Sequence, residues 1–253
     1  MVIDLRKIYF TVDFKGLFSV ILVGCLIFSF IFLISTTENL SMTSADIKIE
    51  KANNRRSIII DAGHGGEDGG TSSSKGTKEK DINLKISLKL CCLLELCGYN
   101  TIMTRTEDKL IYNGNLKTIR EKKSSDLSNR LKIAESNPDA IFLSIHQNYF
   151  AESKYSGTQV FYSKNNPLSF ILAEEIQNAV ISDLQNNNTR KIKPSGKEIF
   201  ILYKAKSPSV MVECGFMSNY SESLKLEDDH YQLEISLSVI NGINNYYDKK
   251  GEI

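Results

Sequence analysis

Histidine is scarce in this chain, and two of its three histidines follow apolar runs with the length of a strand. His64 comes three residues after the run SIIID, and His146 closes the run AIFLSIH. Glu213 follows the short run VMV in the same way. Imidazole nitrogens and carboxylate oxygens bind catalytic metals and accept protons, so these residues are the first candidates for chemistry. His230, in the acidic segment EDDH, is predicted to lie on a solvated surface.

A parallel sheet would bring these candidates together, because ligands gather at the carboxyl ends of its strands. Glu79, at the start of a long helical pattern, is a fourth candidate, although spacing alone does not favour it over Glu67 or Asp68. Two imidazoles and one carboxylate can hold a catalytic zinc ion and leave a position open for water. A further carboxylate can then accept the proton of that water.

A purely structural interpretation stands beside this one. A histidine in a glycine-rich loop is often a turn residue, and a histidine that ends a strand is often a hydrogen-bonded core residue. Glu79 lies in the charged run KEKD, which is typical of a solvated surface. Residue types and spacing alone do not decide between the two interpretations.

The elements that must position these residues follow from hydrophobic periodicity. Strands are predicted at residues 57–61, 101–105, 140–146, 158–162, 199–203 and 209–213. Helices are predicted at 80–97, at 126–135 with a cap at Ser125 or Asp126, from 168 onward, and near the C-terminus. Strands that alternate with helices predict an α/β fold. We expect a twisted, mostly parallel sheet flanked by helices on both faces, in a single catalytic domain.

The N-terminus carries an uncharged apolar run at residues 17–35, preceded by Arg6, Lys7 and Lys15. Roughly 20 apolar residues cross a bilayer as a helix, and positive charges stay on the cytoplasmic side. We therefore predict a cytoplasmic segment 1–16, a membrane anchor 17–35, a tether 36–56 and an extracytoplasmic catalytic domain 57–253. A cleaved signal peptide is the alternative, although residues 35–37 form a poor cleavage site.

Composition excludes some classes of function. The chain is 42% hydrophobic and 24% charged, which suits an ordinary globular domain. Its formal net charge of +1 gives no basic excess to neutralise phosphates, so we expect no nucleic-acid partner. The spacing of the five cysteines fits neither a disulfide framework nor a metal clip.

Four short motifs occur in order along the chain. They are DAGHGGEDG at 61–69, EKDINL at 79–84, SIHQN at 144–148 and VECGFMSN at 212–219. Together they resemble the zinc-dependent N-acetylmuramoyl-L-alanine amidase family over roughly residues 57–247. The resemblance implies a Zn²⁺ cofactor held by His64, Glu79 and His146, with Glu213 as the catalytic residue. It also implies peptidoglycan glycan strands with stem peptides as the substrate, cleaved between N-acetylmuramic acid and L-alanine.

Two further segments, KKSSDLSNR at 122–130 and NTRK at 188–191, are similar to the spore-cortex, germination-specific branch of that family. That branch removes stem peptides so that muramic-δ-lactam can form, which implies a deacetylase as the next enzyme. Arg130 matches a recurrent arginine of the family, for which we expect a structural role or a role in binding a substrate carboxylate.

Two other functions stay open at this point. One is a catalytically inactive wall-binding or regulatory protein of the same fold, and the other is a zinc-dependent deacetylase, whose motif order this sequence does not match. We also expect the metal to be moderately held, because Glu79 lies at a hydrophilic loop-to-helix junction and is the ligand most free to move. An activating protein partner that docks on the glycine-rich loop would then stabilise the site. The alternative is that the sheet already fixes all three ligands.

Overall fold

The computed structural model of the protein describes residues 56–252, and the predicted anchor and tether lie outside them except for Arg56. The strands, numbered in chain order, are β1 Ser57–Ala62, β2 Asn100–Met103, β3 Ile141–Asn148, β4 Gln159–Tyr162, β5 Lys193–Pro194 and β6 Ser209–Phe216. The helices are α1 Glu79–Leu96, α2 Ile119–Glu135, α3 Leu168–Asp183, α4 Phe200–Lys204, α5 Tyr220–Glu227 and α6 Asp229–Glu252. No helix within the described residues combines the length and apolarity that a bilayer crossing requires.

The strands form one six-stranded sheet in the order β2-β1-β3-β6-β4-β5. The pairs β1–β2, β1–β3, β3–β6 and β4–β5 are parallel, and β4 runs antiparallel to β6. The carboxyl ends of β1, β3 and β6 therefore meet at one edge of the sheet, which we call the carboxyl edge. The amino end of β4 lies at the same edge because β4 runs the other way.

Helices cover both faces of the sheet, as the sequence predicts. On one face, Ile58 and Ile60 of β1 belong to a core cluster that includes residues of α1, α3 and α6. On the other face, Ile59 belongs to a cluster with residues of α2 and α4. Successive strand residues point to opposite faces, so a strand buried on both sides must be apolar throughout. This explains the uninterrupted run of isoleucines in β1.

Two predicted elements differ most from the structure, and β5 and α5 were not predicted. Residues 199–203 were expected to form a strand, but the short helix α4 takes their place, because a brief apolar run does not distinguish the two states. Its residues Ile201 and Leu202 are buried against the sheet. Helix α2 begins seven residues before the predicted start. Its cap is Thr118, which forms a capping box with Glu121 that the sequence pattern T-x-x-E already contains.

Candidate metal and catalytic site

The predicted site residues meet at the carboxyl edge. His64 lies two residues beyond β1, His146 lies within β3, and Glu213 lies within β6. His146 and Glu213 are direct partners in the parallel β3–β6 register. Because side chains alternate between faces, opposed partners present their side chains on the same face of the sheet. The expected juxtaposition of candidate ligand and candidate base is therefore built into the strand pairing.

His64, Glu79 and His146 form a cluster whose ligand atoms all lie within 4.8 Å of one another. Glu79 Oε2 is 3.3 Å from His64 Nε2, and Glu79 Oε1 is 3.0 Å from His146 Nδ1. The two imidazole rings meet edge to face, with centroids 4.9 Å apart. Of the acidic residues that spacing left open, Glu79 is the one between the histidines. Of the two histidines, Asp68 contacts only His64, and Glu67 pairs with Lys122.

Glu79 is the first residue of α1, and its buried carboxylate is held by several donors. Oε2 accepts the backbone N–H of Thr71 at 2.9 Å, and Oε1 accepts the backbone N–H of Gln147 at 3.1 Å. The Asn83 amide donates to Oε1 at 3.3 Å. Burial opposes ionisation, but the hydrogen bonds from His146 and His64 outweigh it and hold the pKa of Glu79 well below its ordinary value. The expectation that Glu79 is free to swing away is therefore wrong.

His64 sits at the strained point of the glycine-rich loop. Its φ of 59° lies in the left-handed region, which non-glycine residues seldom adopt and which is concentrated at functional sites. Its Nδ1 is 2.8 Å from Asp68 Oδ2, which fixes the ring and turns Nε2 toward Glu79. Burial disfavours the imidazolium, yet the hydrogen bonds to Asp68 and Glu79 prevail and raise the pKa of His64 to about 9.

Two buried arginines, Arg105 and Arg130, bind backbone carbonyl groups of this loop. Arg130 donates from Nη2 to the carbonyl oxygen of His64 at 2.8 Å and from Nη1 to that of Ala62 at 2.7 Å. It also forms ion pairs of 2.7 Å with Asp61 and Asp126. Its side chain is only 2% exposed and all three of its nitrogens are engaged, so the geometry fits the structural role and not the substrate-carboxylate role.

Arg105 supports the site although no sequence pattern predicted a role for it. It is buried, and its guanidinium donates to four backbone carbonyls, among them those of Ala62, Gly63 and Lys80. Burial lowers its pKa to about 10, with a further contribution from Arg130. No pattern in the sequence distinguishes an arginine that binds carbonyl oxygens from one on the surface.

Two glycines leave the space that the candidate ligands occupy. A Cβ atom at Gly63 would overlap the imidazole ring of His146. A Cβ atom at Gly70 would lie 2.5 Å from Glu79 Oε2 and 2.8 Å from His64 Cδ2. Gly70 also has a φ of +65°, a conformation that side chains disfavour. The glycines of the loop thus serve close approach as well as chain reversal.

Glu213 differs from Glu79 in its surroundings. Its Oε2 is buried and accepts no hydrogen bond from any residue of 56–252. Burial is the main cause that raises its pKa to about 7, and the Glu79 carboxylate adds to the rise. Such a carboxyl group suits proton transfer near neutral pH. The neighbouring Cys214 is fully buried, and burial raises the pKa of its thiol, so it is not an available nucleophile.

His64, His146 and Glu213 line one cavity of about 310 Å³ between the sheet and helices α2 and α4. Leu127, Phe200 and Met211 give the cavity apolar walls. The imidazoles of His64 and His146 are 20% and 17% exposed, so a ligand can reach them. A covered parallel sheet with two imidazoles, one carboxylate and a nearby acid at its carboxyl edge is typical of metal-dependent hydrolases.

Comparison with known proteins supports a hydrolase and identifies its family. The family model described as N-acetylmuramoyl-L-alanine amidase matches residues 58–245. The chain belongs to the N-acetylmuramoyl-L-alanine amidase family, and the family resemblance noted in the sequence is confirmed.

Relatives within the family include proteins of Bacillus subtilis and Clostridioides difficile. The germination-specific N-acetylmuramoyl-L-alanine amidase of Bacillus subtilis is 31% identical over 195 residues, which cover 77% of this chain and 81% of the relative. The structure of the CwlD amidase from Clostridioides difficile, in complex with the GerS lipoprotein, matches with a TM-score of 0.74 and 41% identity. That match covers 77% of this chain and 99% of the other. A second amidase structure from Clostridium difficile 630 matches with a TM-score of 0.67 and 27% identity, over 78% of this chain and 99% of that one.

Proposed function

We propose that this amidase uses zinc to hydrolyse the amide between N-acetylmuramic acid and the L-alanine of peptidoglycan stem peptides, and that it acts in the spore cortex. The observation that carries the proposal is the convergence of His64, Glu79 and His146 beside Glu213. A catalytically inactive wall-binding protein would have no need of this arrangement.

The donor set fits zinc. Two imidazole nitrogens and one carboxylate oxygen are a common set of catalytic zinc ligands, and they leave a coordination position open. Asp68 supplies the outer carboxylate that orients a ligating histidine. A zinc ion in such a site acts as a Lewis acid that polarises the scissile carbonyl. The negative charge of Glu79 and Asp68 also favours a cation here.

Glu213 is proposed as the general base and then the general acid. Its carboxylate takes a proton from the attacking water as the water oxygen bonds to the carbonyl carbon. The same carboxyl group then gives that proton to the L-alanine nitrogen as the carbon–nitrogen bond breaks. The products are a lactyl carboxylate on the sugar and a stem peptide with a free amino terminus, which takes up the second proton of the water. The partly buried position of Glu213 keeps its pKa suited to both steps.

The similarity to relatives named germination-specific amidase and CwlD supports a cortex substrate. The chemistry then places a second enzyme after this one. A freed lactyl carboxylate can close a lactam only with an unacetylated amine on the same sugar, so an N-deacetylase must act before the ring forms.

The proposal also includes a membrane anchor and an activating protein partner. We propose that residues 17–35 anchor the chain and place the amidase domain outside the cytoplasm. The CwlD structure contains a lipoprotein partner, and this supports an activating protein partner for the present chain. The glycine-rich loop after β1 needs no partner to hold the candidate metal ligand His64, because Arg105 and Arg130 already bind the backbone of this loop. We therefore expect a partner to tighten metal binding and not to create the site.

Incubation of the purified protein with cortex and with vegetative peptidoglycan tests the proposal. Release of free L-alanine amino termini identifies an amidase, release of acetate identifies a deacetylase, and binding without release identifies a wall-binding protein. Faster release from cortex supports the cortex role. Equal or slower release from cortex would contradict that role and leave the amidase activity standing.

A further inference from the structure

A second cavity opens at the carboxyl edge on the β4 side of Glu213. It has a volume of about 730 Å³ and lies among the loop before β4, the segment after α3, and the first turns of α5 and α6. We call it the Arg190 groove. Its lining includes Tyr155, Gln159, Asn188, Arg190, Glu222 and Tyr231. Gln159 is the direct partner of Glu213 in the β4–β6 register, so the groove lies one strand away from the candidate catalytic residue.

The groove has an excess of positive charge. Four cations line it, namely Lys154, Arg190, Lys193 and Lys225, against the single acid Glu222. Both Glu222 oxygens are already occupied, since they accept the backbone N–H groups of Gly157 and Phe216 at 2.8 Å each. Lys154 pairs with Glu152, but no salt bridge within residues 56–252 involves the other three cations. Glu222 attracts Arg190 and Lys225 without pairing with either, so an anion entering the groove would meet four cations against one carboxylate.

Arg190 is held in place by neutral groups. Its Nε donates to the carbonyl oxygen of Ser156 at 2.7 Å, and its Nη1 donates to Gln159 Oε1 at 3.3 Å. The guanidinium lies over the Phe216 ring, 4.3 Å from the centroid. Within the described part of the chain, Nη2 donates no hydrogen bond. A fixed guanidinium with an unused donor and no carboxylate within ion-pair distance can form a charge-assisted hydrogen bond with an incoming anion.

We infer that the Arg190 groove binds a carboxylate of the stem peptide, with Arg190 as the specificity-determining residue. This inference rests on the proposed function, because it takes the substrate to be a stem peptide cleaved beside Glu213. The positive charge of the groove indicates that it binds the stem peptide of the substrate and not the glycan strand. Stem peptides carry carboxylates on acidic side chains and at their C-terminus, whereas the sugars present hydroxyl and acetamido groups that need no cation.

Kinetics on two matched muropeptides test the inference. One is a disaccharide with a stem peptide whose carboxylates are free, and the other has the same carboxylates converted to primary amides. The wild-type protein should prefer the free form by about tenfold or more in kcat/KM. Arg190→Gln should abolish the preference by raising KM for the free form, with little change in kcat and none on the amidated form. Arg190→Lys should retain part of it, because charge remains while the planar fork is lost.

Lys164→Gln is the control, since Lys164 is exposed beyond the far end of β4, at the opposite edge of the sheet, and should keep the full preference. An Arg190→Gln protein that still discriminates, or that loses both activities equally, would overturn the inference. Wild-type protein that hydrolyses neither muropeptide would instead contradict the proposed function. Calorimetric binding of the two muropeptides to Glu213→Gln protein, with and without Arg190→Gln, then tests the groove without turnover, with the same preference and the same loss expected.

Discussion

His146 and Glu213 face each other directly across the parallel strands β3 and β6, so a candidate metal ligand and the candidate base share one face of the sheet. The backbone pairing, and not a flexible loop, sets their separation. Each side chain can therefore be altered without moving the other. Substitutions of His146 and of Glu213 can therefore test metal binding and proton transfer separately.

Glu213→Gln should leave bound zinc unchanged and reduce kcat roughly 100- to 10,000-fold, because the amide cannot accept the proton of water. Zinc content by atomic absorption and hydrolysis of purified peptidoglycan are the measurements. Glu135→Gln, at the exposed end of α2, is the control and should match wild type. Activity of Glu213→Gln near the wild-type rate would remove Glu213 from catalysis.

Asp68→Asn should weaken zinc binding roughly 10- to 100-fold, because His64 loses the outer carboxylate that orients its ring. Competition with a chromogenic chelator measures the affinity. The adjacent Glu67→Gln is a matched control, since Glu67 pairs with Lys122 and not with a histidine. Equal zinc affinity of the two variants would show that Asp68 does not support the metal site.

Gly70→Ala should lower zinc content because its methyl group would displace Glu79 and His64. Gly76→Ala is the matched control. Gly76 also has a positive φ, +89°, but nothing lies within 4 Å of an added Cβ atom. Both variants should lose about 1–2 kcal/mol of unfolding free energy from backbone strain, and only Gly70→Ala should lose metal. Normal zinc content in Gly70→Ala would argue against Glu79 as a ligand.

Arg130→Met should destabilise the metal-free protein by about 3–5 kcal/mol, because Asp61 and Asp126 would be left as buried charges without their partner. Urea unfolding with chelator present measures this free energy. Arg120→Met, on the exposed side of the same helix, should change it by less than about 0.5 kcal/mol. Similar losses in both variants would contradict the buried network.

Acid should destabilise the protein partly through Asp61. Burial opposes its ionisation, but Arg130 and Ser144 outweigh burial and lower the pKa of Asp61 below 3.8 in the folded state. Its contribution is therefore complete above roughly pH 5 and is lost as pH falls through 3.8 toward the folded pKa. Unfolding free energies of the chelated protein between pH 6 and pH 3 should fall less steeply for Asp61→Asn than for wild type. Equal slopes of unfolding free energy against pH for the two proteins would show that groups other than Asp61 cause the acid sensitivity.

Much of the fold was predictable because its central strands are buried on both faces. The apolar runs that became β1, β3 and β6 have no other stable place, so their location and the parallel sheet followed from the sequence. The run at 199–203 was ambiguous, since five apolar or aromatic residues fit one helical turn against the sheet as well as a strand. Its helical state depends on packing that no local pattern encodes.

The site was predictable in part for a similar reason. His146 and Glu213 were predicted to end strands, and although β3 and β6 continue for two and three more residues, both side chains lie near the carboxyl edge. The choice of Glu79 over Glu67 and Asp68 depended on family motifs, because only the loop geometry turns one of the three carboxylates between the histidines. The role of Arg105 in holding the His64 loop could not be predicted, because its partners are backbone carbonyl groups, which every residue has.

Zinc-edge anomalous diffraction from crystals of the protein grown with equimolar zinc tests the central claim most directly. One strong peak is expected at about 2.0–2.2 Å from one atom each of His64, Glu79 and His146, on the face of the sheet that carries Glu213. A peak elsewhere, for example at the exposed His230, or no peak at this cluster, would contradict the account.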